Sequence, residues 1–255
     1  MNTMSISIVT VCRNAEATIA RTIESVQGQL YPSLEYIVID GASTDSTPNI
    51  VRSYNDIVDI FVSEPDQGIA DAFNKGVKLA HGDIIGIINA DDQLCPGTFE
   101  KICCFFEKNP YIDVIHGDVI LVDEHKTIKR VKPAGRWWYP WRLVLFNHPA
   151  TFVRKSVYEK HGLFDTSYRI AMDVELFFRW KSRSVTINYL PEVLVNVQAG
   201  GASGQQAVRG FQEVRRAALQ YGFSPFLVQL QLVGKLSVWW LLERFAAIGR
   251  PKLPS

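Results

Sequence analysis

The sequence contains little cysteine, with four thiols in 255 residues at Cys12, Cys95, Cys103 and Cys104. None of them forms the C-x-x-C spacing of redox and zinc sites, and a disulfide between two adjacent cysteines is strained. A disulfide scaffold is therefore disfavoured, and reduced core thiols in a reducing compartment are favoured. We accordingly expect a cytoplasmic protein.

Long hydrophobic runs are also missing. The opening stretch MNTMSISIVTVCRNA has no basic region before its apolar residues, and its apolar run is too short for a signal peptide. The later apolar stretch 225–245 is interrupted by Gly234, Lys235 and two glutamines, which makes it a poor membrane-spanning helix. We expect an interfacial or partner-packing helix there, and a helix that folds back over the core is the alternative.

The net charge of +1 is small but unevenly distributed. Residues 205–255 contain seven Lys or Arg and two Glu, a net charge of +5, which leaves −4 on residues 1–204. This asymmetry indicates an acidic body suited to a metal-using site, joined to a basic segment that faces an anionic partner.

Two periodicities alternate in the first half of the chain. Short β-branched runs at 6–11, 35–41, 58–64 and 83–91 alternate with helical stretches at 15–29, 46–54, 69–80 and 96–107. This alternation predicts an α/β fold with a mostly parallel, Rossmann-like sheet and flanking helices. Beyond residue 111 the pattern predicts a hairpin at 114–133, a small antiparallel addition, short strands near 151–153 and 185–190, and helices near 172–181 and 206–221.

Polar side chains cluster where the predicted strands end; they are Thr10, Arg13, Asn14, Asp40, Asp66, Asp71, Asn74, Lys75, Asp91 and Asp92. Open α/β sheets bind ligands at the carboxyl ends of their strands, so acids at consecutive strand ends indicate a ligand site. Helix capping is the alternative. It explains Asp45 in STDST and could explain Asp66, but it does not readily explain Asp40.

The stretch GIINADDQLCPG leads a buried-looking strand directly into Asp91 and Asp92. Adjacent carboxylates repel each other, and their desolvation is costly unless positive charge lies nearby. The alternative is an ordinary strand end or helix cap, where Asp and Asn are common.

The chain carries four motifs in a fixed order: VTVCRN, EYIVIDGASTDST, SEPDQGIADAFNKGVKLAHGD and IINADD. Together they resemble the family 2 glycosyltransferases, which have a GT-A fold, and HPATFVRKSVYEKHGLFDTSYRIAMDVELFFRW is similar to that family's acceptor half. The resemblance covers about residues 5–200 and is strongest to bacterial enzymes that build capsule, O-antigen and exopolysaccharide repeat units. It implies a hexosyltransferase-type enzyme with a GT-A catalytic domain at 1–204, divided into a nucleotide-sugar half (1–110) and an acceptor half (111–204), and a helical C-terminal tail at 205–255.

The resemblance assigns roles to the strand-end residues. IINADD corresponds to a D-x-D-type motif, so Asp92, with Asp91 beside it, would hold Mg²⁺ or Mn²⁺ against the diphosphate of a nucleotide-sugar donor. Asp40 matches the residue that accepts a hydrogen bond from the base, typically uracil, which implies a UDP-sugar. The implied nucleotide-sugar site also includes Thr10, Arg13, Asp71, Lys75 and Asp91. Many relatives have an aromatic residue where Arg13 stands; a guanidinium also stacks on bases, but the departure leaves the base less defined.

The motif IAMDVELFFRW matches the family's E-D-type motif and implies Asp173 as the catalytic base, with Met172 where Glu is common. Such a base takes the proton of an acceptor hydroxyl as it attacks the anomeric carbon opposite the leaving group, which inverts the configuration. Glu175 is the rival, but on a helix the two side chains point about 200° apart, so only one of them faces the site. A simple helix cap at Asp173 is the alternative.

Four further residues are candidates for contacts with the acceptor or a phosphate: His116, Asp118, His148 and Arg169. A structural role is the alternative for both histidines, and a salt bridge is the alternative for the charged residues.

Residues 126–142 contain six Lys or Arg and no acid, interleaved with three tryptophans and Tyr139. Nucleic-acid patches have this composition, but no recognition fold accompanies it, so we expect no nucleic-acid partner. Tryptophan beside arginine also marks membrane interfaces. We hypothesise that this loop and the tail hold the protein peripherally at the inner face of the cell membrane, where a glycan acceptor linked to a polyprenyl diphosphate is presented.

The sequence thus predicts an inverting, metal-dependent glycosyltransferase of surface polysaccharide biosynthesis. A sugar-1-phosphate nucleotidyltransferase is the second hypothesis, but such enzymes open with a glycine-rich basic loop, which TVCRNAEA lacks. A non-catalytic nucleotide-sugar or lipid-binding protein is the third; it would keep Asp40 and could dispense with Asp173. P-loop and Rossmann cofactor enzymes are disfavoured because neither G-x-x-x-x-G-K-[ST] nor G-x-G-x-x-G follows the first strand.

Overall fold

The computed structural model of the protein describes residues 4–123, 126–132, 146–199 and 206–230. Within these ranges, nine strands form one mixed sheet with apolar layers on both of its faces. The strands are β1 (Ile6–Cys12), β2 (Leu34–Asp40), β3 (Ile60–Ser63), β4 (Ile84–Asn89), β5 (Gln93–Leu94), β6 (Val114–Asp123), β7 (Lys126–Val131), β8 (Thr151–Arg154) and β9 (Ile187–Gln198). The α-helices are α1 (Ile19–Gln27), α2 (Thr47–Arg52), α3 (Ile69–Leu79), α4 (Thr98–Lys108), α5 (Lys155–His161), α6 (Met172–Ser182) and α7 (Ala207–Gln220); a 3-10 helix spans His148–Ala150, and residues 225–230 are also helical.

Parallel pairing dominates the N-terminal half, where the strands lie in the order β3-β2-β1-β4. All seven residues of β1 are buried because the sheet is covered on both faces. Alternate side chains enter opposite layers, with Ile8 packed in one apolar cluster and Val9 in the other. The register pairs Cys12 with Asp40 and Val11 with Asn89, so the carboxyl ends of β1, β2 and β4 meet at one edge.

Antiparallel pairing joins the C-terminal half to this sheet. β8 lies between β4 and β6 and is antiparallel to both, and β6 forms an antiparallel hairpin with β7. β9 runs parallel to β6, and the short β5 pairs antiparallel with β9. The predicted α/β fold, with a mostly parallel sheet, flanking helices and a small antiparallel addition, is confirmed.

The helix α7 belongs to the core of the molecule. Its Val214, Ala217 and Ala218 are buried in the same apolar cluster as Phe177 and Phe178 of α6. An amphipathic helix needs a surface on which to bury its apolar face, and α6 supplies that surface. These residues belong to the tail expected at 205–255, and the described part of that segment packs against α6.

Several elements differ from the sequence-based expectation. The structure adds α5 and β5, which are too short for hydrophobic periodicity to reveal, and it extends the strand predicted at 185–190 to Gln198. The aromatic, basic stretch 133–142 and tail residues 231–255 lie outside the described residues. Among the helices of the described ranges, none has the length and hydropathy needed to cross a membrane.

Candidate functional site

An open cleft runs along the carboxyl edge of the sheet and reaches the start of α6. Its polar lining includes Arg13, Asn14, Asp66, Asp91, Asp92, Asn147, His148, Arg169, Asp173, Gln198, Gln206 and Arg209. Phe73 and Phe146 contribute apolar wall. The parallel half of the sheet supplies the acids that follow β4, and the second half of the chain supplies His148, Arg169 and Asp173.

Asp91 and Asp92 follow β4 and line the cleft. The side chain of Asp92 is buried, and its Oδ2 accepts hydrogen bonds from Asn89 Nδ2 at 2.9 Å and Asn89 N at 3.3 Å. Thr22 Oγ1 donates to the carbonyl oxygen of Asp92 at 2.8 Å, which fixes the turn against α1. Burial, and then the charge of Asp91, raise the pKa of Asp92 to about 7; burial also raises the pKa of the partly buried Asp91.

This acidic pair has the chemistry of an incomplete hard-cation site. Neutral amides of Asn89 satisfy part of the Asp92 carboxylate, and its raised pKa reflects a shortage of nearby positive charge. Within the described ranges, no group of three or more His, Cys, Asp or Glu side chains converges to hold a metal ion. Mg²⁺ and related ions are commonly held by one or two carboxylates together with substrate phosphates and water, so the pair fits such an ion bound with a phosphorylated ligand.

Asp173 lies in the first turn of α6 and lines both the cleft and a narrow cavity behind it. The cavity wall includes Phe146, Leu176 and Trp180, so the half-buried carboxylate has apolar surface on one side and the open cleft on the other. Burial raises the pKa of Asp173 to about 6, although the backbone N–H of Val174 donates to Oδ1 at 2.8 Å. A carboxylate with this pKa is ionised at neutral pH and accepts a proton more readily than an ordinary aspartate.

Glu175, the rival acid, faces different surroundings. Its buried carboxylate accepts from Arg179 at 3.1 and 2.7 Å, and the hydroxyl of Tyr221 donates to Oε1 at 2.6 Å. These donors satisfy the charge inside the α6–α7 interface, away from the cleft lining. The opposite orientations of Asp173 and Glu175 agree with the helix geometry used in the sequence analysis.

Asp40 ends β2 with a fully buried carboxylate that the chain's own donors occupy. The hydroxyl of Ser63 donates to Oδ2 at 2.6 Å, and Ser43 donates through both its backbone N–H and its hydroxyl. A Cβ added to Gly41 would lie 2.2 Å from Oδ2 of Asp66, so Asp66 packs directly over the Gly41 backbone. Asp66 and Arg13 therefore line the cleft on this side, and Asp40 lies outside its lining.

Three residues expected in the nucleotide-sugar site have local structural partners. Thr10 is fully buried, and its hydroxyl is 3.0 Å from that of Tyr36, because a strand residue two positions before the end still points into the core. Lys75 pairs with Glu64 at 2.8 Å and with Asp71 at 3.7 Å. Asp71 also accepts from the backbone N–H of Gln67 at 3.0 Å. In contrast to the expectation, Thr10, Asp71 and Lys75 do not line the cleft.

The four acceptor or phosphate candidates divide into two pairs. Asp118 is fully buried, pairs with Arg130 and accepts from the hydroxyl of Tyr189 at 2.7 Å, while His116 packs against the Tyr189 ring at 5.8 Å between centroids. These contacts assign His116 and Asp118 to the β6–β7–β9 packing, outside the cleft lining. Burial lowers the pKa of His116 to about 4, although the charge of Asp118 opposes this shift.

His148 and Arg169 do line the cleft. The His148 ring packs on Phe73 at 5.0 Å, and burial lowers its pKa to about 4, so the imidazole is neutral at physiological pH. Arg169 crosses the backbone of Gly68, where an added Cβ would lie 2.5 Å from Nη1. The cleft therefore combines a neutral histidine and a guanidinium with the acids.

Gln206 and Arg209 complete the lining from the start of α7, and the sequence analysis did not assign them to the site. In the sequence, Arg209 is simply one of the seven Lys or Arg residues of 205–255. No local pattern distinguishes it from those cations, because its place in the cleft depends on the packing of α7 against α6.

Solved structures with similar folds belong to the GT-A glycosyltransferases. Staphylococcus aureus TarS 1-349 in complex with UDP is 18% identical, with a TM-score of 0.67 over 91% of this chain and 71% of that chain. The mannosyltransferase PcManGT from Pyrobaculum calidifontis, in complex with GDP-Man and Mn²⁺, is 18% identical, with a TM-score of 0.64 over 98% of this chain and 81% of that chain. The fold therefore defines a GT-A protein.

Sequence comparison identifies the family. The model of glycosyl transferase family 2 matches residues 7–177, so the chain belongs to this family and is a glycosyltransferase. A PGL/p-HBAD biosynthesis glycosyltransferase of Mycobacterium tuberculosis is 27% identical over 199 residues, which cover 74% of each chain. A glycosyltransferase of Haemophilus influenzae is 25% identical over 255 residues, covering 91% of this chain and 79% of that relative.

The burial of Asp173 predicts a gain in stability when its charge is removed. Because its pKa is raised in the folded state, the ionised carboxylate destabilises the fold above pH 6, and this cost fades as the pH falls toward the unfolded-state value near 4. We expect Asp173→Asn to increase the free energy of unfolding by about 2 kcal/mol at pH 8 and by well under 1 kcal/mol at pH 4. Urea unfolding measures both values. The exposed Asp56→Asn is the matched control, and an Asp173→Asn variant no more stable than wild type at pH 8 would contradict the argument.

Proposed function

We propose that the protein is an inverting, metal-dependent glycosyltransferase that moves a sugar from a nucleoside-diphosphate donor to a hydroxyl of a glycan acceptor. The observation that carries this proposal is that Asp91, Asp92 and Asp173 line one cleft, and burial raises the pKa of each of them. Because the chain belongs to glycosyl transferase family 2, we favour this activity over a sugar-1-phosphate nucleotidyltransferase and over a non-catalytic binding protein.

We infer that Asp91 and Asp92 hold Mg²⁺ or Mn²⁺ against the donor's diphosphate. The ion would stabilise the negative charge of the departing nucleoside diphosphate as a Lewis acid. Arg13 and Asp66 line the cleft beside the end of β2, where they would contact the nucleotide, and UDP is the proposed donor nucleotide. The UDP complex of TarS and the GDP-Man and Mn²⁺ complex of PcManGT support a donor of this class.

Asp173 acts in this proposal as the catalytic base. Its carboxylate takes the proton of the acceptor hydroxyl while the hydroxyl oxygen attacks the anomeric carbon. The bond from that carbon to the diphosphate oxygen breaks on the opposite face, so the configuration inverts. His148, neutral at physiological pH, and Arg169 line the same cleft as Asp173 and the acidic pair, where they would contact the acceptor or a phosphate.

We further propose that the acceptor is lipid-linked and that the enzyme acts in surface polysaccharide biosynthesis, on the cytoplasmic side at the inner face of the cell membrane. Phe226 and Leu230, in helical residues 225–230, are 74% and 52% exposed, so they present apolar surface next to the basic tail sequence.

The acidic pair predicts metal-dependent donor binding. Isothermal titration of the wild-type protein with UDP should release heat only when Mn²⁺ or Mg²⁺ is present, because Asp91 and Asp92 would hold the ion that offsets the charge of the diphosphate. Asp92→Ala should abolish this metal-dependent heat, and the exposed Asp56→Ala should leave it unchanged. If neither UDP nor any other nucleoside diphosphate gives heat that depends on Asp92, the proposed metal role is refuted.

The base assignment predicts a separation of binding from turnover. Asp173→Asn should keep donor binding but reduce sugar transfer by about 10²–10⁴-fold, the usual contribution of a positioned acid or base. In the wild type saturated with donor and metal, kcat should fall as the pH drops below about 6, because Asp173 then carries a proton, whereas kcat/KM also reports Asp92, with a pKa of about 7. His148 titrates lower and leaves this limb unaffected. Near-normal turnover of Asp173→Asn would assign the base elsewhere.

The membrane proposal is tested by liposome flotation with vesicles that contain anionic phosphatidylglycerol. The full chain should float with the vesicles, whereas Phe226→Ser/Leu230→Ser should float less and a chain lacking 225–255 should remain in the buffer. The exposed Gln229→Ser is the control within the same segment. Equal recovery of all variants in the buffer would refute membrane association.

A further inference from the structure

A buried carboxylate from α7 binds the backbone that leads into α6. Glu213 is 8% exposed, and its oxygens accept hydrogen bonds from three consecutive backbone N–H groups: Arg169 at 3.0 and 3.1 Å, Ile170 at 2.8 Å and Ala171 at 3.0 Å. Burial alone would raise the pKa of Glu213, but these three donors and Arg209 lower it. The carboxylate is therefore ionised and fully engaged at neutral pH.

The bound segment, residues 169–171, leads directly into α6, the helix that carries the proposed base Asp173. Ala171 is the N-cap residue of α6, so the oxygens of Glu213 bind the backbone N–H of the N-cap residue and those of the two residues before it. Asp173 lies only two residues further on. Any rotation of the first turn of α6 would move its carboxylate relative to the cleft.

The same carboxylate also orients two cations of the cleft. Glu213 Oε1 lies 3.1 Å from Nε of Arg209, and Arg169 belongs to the bound segment. Both guanidinium groups line the cleft. Glu213 lies outside residues 7–177, which match the family model, so no family motif marks it.

We propose that Glu213 is a positioning residue. It holds the first turn of α6 and thereby keeps the Asp173 carboxylate between the cleft and the apolar cavity behind it. This inference rests on the proposed function for its effect on sugar transfer. Its effect on the environment of Asp173 does not depend on any transfer reaction.

The groups that face Asp173 must be considered in a titration test. His148 and Tyr158 line the cavity behind it, and the charged groups of the cleft are Arg13, Asp66, Asp91, Asp92, Arg169 and Arg209. None of them lies on α7 except Arg209, which Glu213 orients. Variants at Glu213 also release Arg169, whose backbone N–H the carboxylate binds, whereas a variant at Gln212, a neighbouring exposed residue of the same helix, leaves the whole set in place.

The experiment follows the titration of the Asp173 carboxyl carbon by ¹³C NMR in metal-free full-length protein, with Asp173→Asn to assign the signal. Glu213→Ala should lower the midpoint by about one pH unit, because water enters when the first turn of α6 loosens. Glu213→Gln loses the charge but keeps an acceptor oxygen, so it should lower the midpoint less. Gln212→Ala should match the wild type. Equal shifts in Glu213→Gln and Glu213→Ala would assign the effect to lost charge alone and overturn the proposal.

Sugar transfer supplies the second readout. Glu213→Ala should lower kcat by about 10²-fold, a cost typical of an ångström-scale misplacement, and Glu213→Gln should recover part of it. If the wild type transfers sugar and Glu213→Ala does so at an unchanged kcat, the positioning role is refuted while the proposed function stands. If the wild type transfers none, the proposed function fails and the NMR titration still decides the role of Glu213. If both Glu213 variants lose cooperative thermal unfolding, the residue serves folding alone and the proposal is overturned.

Discussion

Unneutralised negative charge at the carboxyl edge of the sheet is the constraint on which the rest of the site depends. Asp92 and Asp173 lie in surroundings that remove water without supplying a matching cation, and both pKa values rise in consequence. Each unit of such a shift costs about 1.4 kcal/mol, against a net stability of roughly 5–15 kcal/mol for a whole domain. The two apolar layers of the sheet must offset what remains of this cost, because the hydrogen bonds from Asn89 to Asp92 and from Val174 to Asp173 lower the two pKa values only in part.

The contrast with other buried acids of the chain shows what distinguishes a reactive carboxylate from a structural one. Asp40 is bound by Ser43 and Ser63, and Glu175 by Arg179 and Tyr221. These residues are as buried as Asp92, but donors reach both of their carboxylate oxygens, whereas Asn89 donates only to Oδ2 of Asp92. Burial alone is therefore a poor marker of function in this cleft. The informative feature is a buried acid with few donors that points into open space.

The acids of the proposed site follow from the sequence because they occur at strand ends and in family-like motifs, where local order determines position. Thr10 lies outside the cleft lining while Cys12, on the same face of β1 but at its end, belongs to it, so depth along the strand separates the two. Asp118 also lies outside the lining, and the sequence does not reveal this because its partner Arg130 lies across a hairpin. The contribution of Arg209 depends on contact between α7 and α6, and no local pattern in a sequence encodes such a contact.

Because α7 packs against α6 in the core, it belongs with the catalytic domain when the chain is divided into a domain and a tail. The motifs of the family end near α6, yet the N–H groups that precede α6 are bound by Glu213, some 40 residues further along the chain. A catalytic domain cut at residue 204 would leave those groups without their carboxylate and would uncover the apolar face of α6 around Phe178. Buried backbone donors that lose their partners cost about 1–3 kcal/mol each, so such a fragment would lose both stability and the fixed start of α6. The unit that builds the site therefore extends through α7, and the boundary between body and tail lies beyond Gln220.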